Sequence, residues 1–567
     1  MKTKFIQTLT LALIAVFQVA LAQQVITGSV TDQDGLPLPG ATVVIKGTST
    51  ATTADFDGNY TIAAKNGDVF IVSFVGFNPI EVTVSSATMN VSLEGSTQLD
   101  EVVVTGFGQT EKREALTGSV GTVSSAELTK RNVINPIAAI EGNVTGVQFT
   151  SASGQPGSGP GIVIRGVGTL NGSASPLIIV DGATFEGSIN SINQDDIESI
   201  NVLKGASPMI ALYGSRAANG VILITTKKGS KDGKIRVNMT SQYSFIDRAV
   251  KEYEEVGPGQ YYELMWEAYK NSLSTADPAA TASATIFDRL GYNPFNVAND
   301  QIVGTDGNLN PNAEVIYESL DWLDYLQRNG TRINNSVNVS SGSDKHSVFF
   351  SASHTDEDGY VIESSFERTT GRLNADFAPT KWFRLGGGLN MALNKTVGLG
   401  GVGSSSIVNP FGWAKNLASI YPVYVVDNNG KIVNDAAGNP QYDYGEGYPE
   451  YGIQSRPYSP GRHGIAEAYF NDEDTKTNNY GLRFFAEIDL MEGLTFSVNY
   501  ANDYQDFINK SYENDIVGDG APTGRYGETR FRRTVSNAIQ KLNYTTSFGD
   551  HNIQVLLGHE SFDSYSS

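Results

Sequence analysis

The sequence predicts a mainly β protein in three consecutive parts: a small β-sandwich, an α+β domain, and part of a transmembrane antiparallel β-barrel. Three observations carry this. Glycine (60), Tyr (26) and Phe (26) are abundant while Pro (20) is ordinary, a composition suited to strands, turns and aromatic belts. From Ile235 onward, apolar residues recur at every second position over strand-length stretches. No segment after the N-terminus has the uninterrupted apolar length of a membrane helix. A chain of this kind that enters lipid must do so as a closed barrel, the other structure that satisfies every backbone group there.

Residues 1–22 read as a secretory signal peptide. Lys2 and Lys4 give a positive start, Phe5 to Leu21 are mostly apolar, and Ala20-Leu-Ala22 is a small-x-small cleavage site before Gln23. No Cys follows that site, so the exported chain carries no lipoprotein anchor. The loss of two Lys and no acid takes the formal charge from −21 to −23, which argues against nucleic acid as a partner. The cysteine count of zero removes disulfides, thiolate metal sites and a Cys nucleophile together.

Residues 23–95 have the grammar of one seven-strand sandwich. Val25 to Thr31 is a strand, Asp34-Gly35-Leu-Pro-Leu-Pro-Gly40 a turn, and Ala41 to Lys46 a second strand. Asp57-Gly58 signals a hairpin before Tyr60-Thr-Ile62, and Val69 to Val75 and Glu81 to Val84 follow. Residues 96–114 form a linker around Leu99-Asp-Glu-Val-Val-Val-Thr-Gly-Phe107. This acid-led, β-branched strand stands outside either neighbour's core and suits pairing with another sheet's edge.

Residues 115–230 change texture to short strands, Gly-rich turns and brief helices. The expected helices are Ala126 to Arg131 and Pro136 to Glu141. The core strands are Gly161 to Arg165, Pro176 to Asp181, Ile197 to Leu203 and Gly220 to Thr226. Residues 231–567 carry the barrel pattern. Ile235, Val237, Met239, Tyr243 and Phe245 alternate with Arg236, Asn238, Thr240, Gln242 and Ser244. Phe383 to Leu393 and Leu482 to Leu490 repeat it, and further strands are expected near 333–341, 346–356, 366–377, 494–506, 529–547 and 551–562. A large soluble β-protein with one wet face has the same period.

Two long inserts break the series. Residues 247–332 contain a predicted helix at Gln260 to Ser272, and 396–477 are rich in Gly, Asn, Tyr and Pro. Loops of that size face outward on such barrels. Their tyrosines, Tyr442, Tyr444, Tyr448 and Tyr451 with Tyr421, Tyr424 and Tyr458, suit stacking on sugar rings or burial of peptide side chains. They equally suit holding a long loop together.

Two resemblances sharpen this reading. Gly28-Ser-Val-Thr-Asp, Leu38-Pro-Gly-Ala-Thr-Val, Asp57-Gly-Asn-Tyr and Phe74-Val-Gly-Phe resemble the carboxypeptidase-regulatory-like domain, which is not catalytic. Gly146-Val-Gln-Phe-Thr-Ser-Ala-Ser-Gly-Gln-Pro-Gly157, Ile164-Arg-Gly-Val-Gly168, Leu177-Ile-Ile-Val-Asp-Gly182, Ile192 to Lys204 and Tyr213 to Gly229 look like the plug domain of the SusC/RagA family. Asp321-Trp-Leu-Asp-Tyr-Leu-Gln-Arg328 and Val337-Asn-Val-Ser-Ser-Gly-Ser343 resemble the start of that family's barrel. Gly205-Ala-Ser-Pro-Met-Ile-Ala-Leu212 departs from it, where the family more often has an acidic residue and small side chains.

The resemblance implies a TonB-linked outer-membrane transporter of large nutrients, an oligosaccharide or a peptide. It implies TonB as periplasmic partner, a SusD-like surface lipoprotein, outer-membrane lipid around the barrel, and no cofactor. Asp100, Glu101, Val102, Val103 and Val104 then have the form of a TonB box. Arg165 and Arg216 are expected to pair with Asp196, Glu198 or acidic lumen residues, giving a plug held by polar contacts that can slip. Barrels of the family have about 22 strands, of which about nine are recognisable here.

An enzyme is the first rival, but the five His residues form no metal-ligand cluster, and nucleophile elbows and phosphate loops are absent. Asp356-Glu-Asp-Gly359 is read as a hairpin turn rather than a calcium site. A siderophore-type receptor and a non-transporting surface glycan-binding or adhesion protein remain as alternatives. The end at Phe562-Asp-Ser-Tyr-Ser-Ser567 lacks the terminal aromatic of a last barrel strand. The chain is therefore expected to be either the N-terminal part of a longer protein or a truncated product that cannot close a barrel.

Overall fold

The computed structural model describes residues 24–567 apart from 34, 49, 75–76, 95–101, 105–109, 113–118, 132, 151–153, 205–212, 252, 400–408 and 550. The predicted signal peptide lies outside the described residues, as do Asp100 and Glu101. No helix among the described residues is long and apolar enough to cross a membrane. Two compact units are present, the first carrying the sandwich and the second everything from Ser119 onward.

The sandwich has the expected seven strands: β1 (Gln24–Thr31), β2 (Thr42–Ile45), β3 (Ala51–Thr53), β4 (Asn59–Ala64), β5 (Val69–Ser73), β6 (Ile80–Thr83) and β7 (Val91–Ser92). They form two sheets, ordered β4-β1-β7 and β3-β2-β5-β6. Alternation does the folding work. In β4, Tyr60, Ile62 and Ala64 are buried while Asn59, Thr61 and Ala63 face water. The Tyr60 ring meets Phe70 edge-on at 6.3 Å, and its hydroxyl donates to the Met89 carbonyl at 2.7 Å. Gly28 lies beneath that same carbonyl, where any Cβ would overlap it. The linker strand β8 (Val102–Val104) pairs with β9 (Thr110–Lys112) in a two-stranded sheet of its own.

The α+β domain contains β10 (Ser119–Ser124), β11 (Val147–Thr150), β12 (Gly161–Ile164), β13 (Leu177–Val180), β14 (Ala183–Thr184), β15 (Ile197–Lys204) and β16 (Val221–Thr226). Its main sheet runs β10-β15-β16-β13-β14, with β13 and β16 parallel. Such strands are buried on both faces, and β16 shows it with Val221 to Ile224 all buried. The predicted helices shrink to single turns, α1 (Ser125–Leu128) and a 3₁₀ turn at Ala138–Ile140. Leu128 and Ile140 are fully buried, so packing rather than length fixes these turns.

Nine long strands follow in one antiparallel sheet, each paired with the next in sequence. They are β17 (Arg236–Ile246), β18 (Gly330–Gly342), β19 (His346–Asp358), β20 (Ser365–Thr380), β21 (Phe383–Val397), β22 (Asp472–Met491), β23 (Leu494–Glu513), β24 (Arg525–Phe548) and β25 (His551–Ser566). Asp356 and Asp358 thus end a strand, and the hairpin turn lies beyond them at 359–364. Turns at 343–345, 381–382 and 492–493 are short and share one end of the sheet. The connections 247–329 and 398–471 leave from the other end, the asymmetry of an outer-membrane barrel. On β22, Tyr480, Leu482 and Phe484 are exposed on the outer face, whereas Arg483 turns inward to a two-point ion pair with Asp503 at 2.8 and 2.9 Å.

The long connections do not hang free. Helices α2 (Pro258–Ser272), α3 (Pro278–Leu290), α4 (Trp322–Leu326), α5 (Pro410–Asn416) and α6 (Gly464–Phe470) bring both inserts into one hydrophobic core. Tyr262, Trp266, Ile286 and Trp322 from the first insert pack with Trp413, Tyr421, Ile453 and Ile465 from the second. We call this body the cap. The helix α3 is absent from the sequence reading although its signals are present. Asp277 caps it by accepting from the Ala280 N–H at 3.0 Å, Pro278 opens it, and Gly291 closes it at φ +78°.

His463 of the second insert is fully buried, and its ring packs on Trp322 of the first insert with centroids 4.7 Å apart. Its Nδ1 accepts from the Ala466 N–H at 2.9 Å, capping α6, while Nε2 donates to the Val423 carbonyl at 2.8 Å. That arrangement requires the neutral ring, and burial pushes its pKa from the ordinary 6.5 down to about 3. The unfolded cap therefore takes up this proton first. Its contribution to stability is complete above pH 6.5 and is lost as pH falls through that value towards 3. Three of the four tryptophans lie in the cap. Tryptophan fluorescence during urea unfolding should therefore show a midpoint that falls with acidification, and His463→Asn should lower the neutral-pH midpoint while flattening that dependence.

Candidate functional site

Where the α+β domain meets the inner face of the strand sheet, one seam brings together three buried charged side chains, Asp196, Arg368 and Arg372. It is built by alternation on β20. Arg368, Thr370 and Arg372 are buried at positions two apart, and Asn374 continues the row. Opposite them stand the ends of the domain's own strands: Asp181 after β13, Asp196 before β15, and Thr226 at the end of β16.

The contacts are specific. Arg372 Nε lies 3.5 Å from Asp196 Oδ2, and its Nη1 lies 3.8 Å from Asp181 Oδ2. Asp181 accepts from the Thr226 N–H and hydroxyl at 2.9 and 2.8 Å, which fixes it at the seam. Arg368 Nη1 donates to the carbonyls of Ile134 and Asn190, both at 3.0 Å. Asn374 donates to the Lys227 carbonyl at 2.8 Å, and Ser336 of β18 donates to Asp195 at 2.7 Å. Burial pushes the Asp196 carboxyl above its usual range, and Arg372 works against that shift.

The four residues singled out from sequence separate here. Asp196 is at the centre of the seam, only 2% exposed. Arg216 reaches Glu560 of β25 at 2.9 Å and lies over the Phe562 ring at 5.0 Å, an ion pair at the exposed margin. Glu198 is exposed and meets no cation among the described residues. A β-bulge between Ile197 and Ser199 breaks the alternation that would have put it on the same face as Asp196. Arg165 is also exposed, at a left-handed φ of +57° where the chain leaves β12, and has no carboxylate partner among the described residues.

Arg368 and Arg372 were not anticipated. Their signal was the row Arg368, Thr370, Arg372, Asn374 at period two, which marks a wet inner face but not what covers it. Of the linker residues, Val102, Val103 and Val104 form β8, whereas Asp100 and Glu101 lie outside the described residues.

The cap tyrosines Tyr442, Tyr444, Tyr448 and Tyr451 are half-buried. Tyr442 packs against His463 at 4.9 Å and Phe470 at 5.7 Å, and Tyr444 meets His463 at 6.1 Å. Tyr448 donates to the Tyr442 carbonyl at 3.3 Å, and Tyr451 packs on the cap core. Tyr421 is buried, its hydroxyl donating to the Leu290 carbonyl at 3.1 Å. Tyr458 remains 46% exposed.

Comparison with known proteins places this geometry. The family model of the TonB-dependent Receptor Plug Domain matches residues 112–221, and that of the CarboxypepD_reg-like domain matches residues 26–104. The chain is 30% identical over 560 residues to TonB-dependent receptor P26 of Formosa agariphila, covering 97% of this chain and 50% of that protein. It is 36% identical over 365 residues to TonB-dependent receptor SusC of Bacteroides thetaiotaomicron, covering 63% of this chain and 32% of that one. The RagAB peptide importer in its open-open state shares the fold, with a TM-score of 0.62 at 24% identity over 82% of this chain and 50% of that one. The chain thus spans about half the length of the relative P26 and less of SusC.

The seam makes an asymmetric prediction. Arg372→Met strands Asp196 as a buried charge and should cost about 3–5 kcal/mol of domain-to-wall docking. Arg216→Met breaks an exposed pair and should cost at most about 1 kcal/mol. Urea-dependent protease access to residues 119–226 would measure both. Adding Asp196→Asn to Arg372→Met should recover part of the loss.

Proposed function

We propose that this chain, which belongs to the SusC-type TonB-dependent receptors, serves the import of a large nutrient across the outer membrane under the pull of TonB. The nutrient class is an oligosaccharide or a peptide. In this reading residues 1–22 direct export, the α+β domain is the plug, and the nine strands form wall. The observation that carries it is the plug's attachment to the inner face of that wall through a polar seam.

The physical logic runs from that seam. A plug that must move cannot be held by interdigitated apolar packing, because each exposed apolar group adds about 25 cal/mol per Å² to the cost of extraction. The buried Arg372 and Asp196 behave differently. Their burial carries a desolvation penalty that entering water relieves, so the first displacement is partly compensated by hydration. Arg216 and Glu560 sit at the margin, where solvent already reaches them.

Force enters through the linker. Asp100 to Val104 is taken as the TonB box, a strand that presents backbone groups to a partner's sheet edge. The energy comes from the inner-membrane potential through TonB, since the outer membrane stores none. A SusD-like surface lipoprotein over the cap side completes the proposed assembly. Its support is the family relation alone.

Deletion of Asp100 to Val104 should abolish uptake of labelled oligosaccharide or peptide pools by cells carrying the gene while leaving surface binding intact. Loss of both activities would mean that the segment is structural, and unchanged uptake would remove the box assignment.

A further inference from the structure

We infer that a groove on the cap is a binding site for neutral oligosaccharides, with Tyr458 as its stacking platform. The inference rests on the import reading above and narrows its nutrient class. The groove, of about 760 Å³, lies between the segment at Glu254, helices α2 and α3, the end of α5 and the loop at Tyr458. Tyr261 and Tyr269 come from α2, Arg289 from α3, and Lys415 from α5.

The platform is built rather than incidental. Arg456 is 1% exposed, and its guanidinium is committed to the loop that presents Tyr458. Nε donates to the Tyr458 carbonyl at 2.8 Å, and Nη2 donates to the carbonyls of Ser459 and Arg462 at 3.0 and 2.9 Å. The guanidinium stands over the Trp413 ring at 5.1 Å, and Tyr458 itself rests on Trp413 with centroids 6.2 Å apart. Burying a cation is costly, and this one holds an exposed aromatic ring in a fixed place. An aromatic that merely closed the loop would be covered, as Tyr421 is.

The chemistry of the lining selects among ligands. A peptide that docks by strand addition needs an open strand edge, which this groove, walled by helices and loops, does not offer. A docked amphipathic helix needs a continuous apolar trough, and Glu254, Arg289 and Lys415 interrupt this one. Flat aromatic faces beside carboxylate, guanidinium and ammonium groups instead match a sugar ring, with an apolar C–H face and hydroxyls at its edge. Both signs of charge line the groove, which fits an uncharged glycan better than an acidic one.

The test uses the full chain purified in detergent. Fluorescent conjugates of short glucans, mannans and xylans are titrated, with a random peptide pool as competitor. At least one glycan class should bind, Tyr458→Ala should weaken it by about tenfold or more, and Tyr458→Phe should keep it. Tryptophan fluorescence checks that Tyr458→Ala keeps the cap folded. If it does not, Lys415→Met, which changes another lining residue of the groove, is judged by the same loss.

Failure of every glycan class to bind, binding indifferent to Tyr458→Ala, or displacement by peptides would overturn the assignment. Uptake that depends on Asp100 to Val104 would in those cases still stand, so failure of the groove and failure of the import reading are distinguishable.

Discussion

The pairing of Arg372 with Asp196, inside a seam that excludes most water, is the interaction on which the second unit depends. It joins a strand of the wall to the start of β15 in the plug's main sheet. Neither residue can be buried alone, because an unpaired charge costs several kcal/mol in such a place. Their mutual need fixes the domain against β20 more sharply than the surrounding hydroxyl and amide contacts could. Arg368 adds register by reading two plug carbonyls, an attachment that depends on backbone position rather than on a second side chain.

The cap follows a different rule. Inserts separated in the chain by the four strands β18 to β21 close on one aromatic core, so that neither is a loop in the energetic sense. Trp322 donates to the Tyr421 carbonyl at 2.8 Å, Tyr292 to Asp443 at 3.0 Å, and His463 ties α6 to Val423. Burial holds Asp443 above the usual carboxylate range, and the Tyr292 hydroxyl and Gly445 N–H oppose that shift. A polar, slippable seam on one side and an aromatic-cored, bonded body on the other suit a device in which one part moves and the other presents a fixed surface.

Much of this was legible in the residues. Period-two alternation located all nine wall strands because one face meets an apolar medium and the other a polar one, and every second side chain had to report it. The sandwich was readable for the same reason, with turns marked by Asp57-Gly58 and its neighbours. The seam was legible only in part. Asp196 stood out, but Glu198 was sent to the surface by a bulge that no pattern of residue types announces. Arg368 and Arg372 looked like any lumen-facing cations, since what covers a wall residue is settled by chain far away in sequence. The cap was missed as a body for that reason, although Asp277, Pro278 and Gly291 spelled out its second helix.

The central claim is that the plug moves along this seam during import. The absence of native cysteine allows a clean test by a single engineered pair. Thr226 and Asn374 face each other across the seam, with Asn374 Nδ2 3.1 Å from Thr226 Oγ1. Cells carrying Thr226→Cys with Asn374→Cys would be assayed for nutrient uptake under oxidation and again after reduction. The account predicts that the closed disulfide stops uptake, leaves surface binding unchanged, and releases uptake when reduced. Full uptake with the disulfide shown to be closed would contradict it.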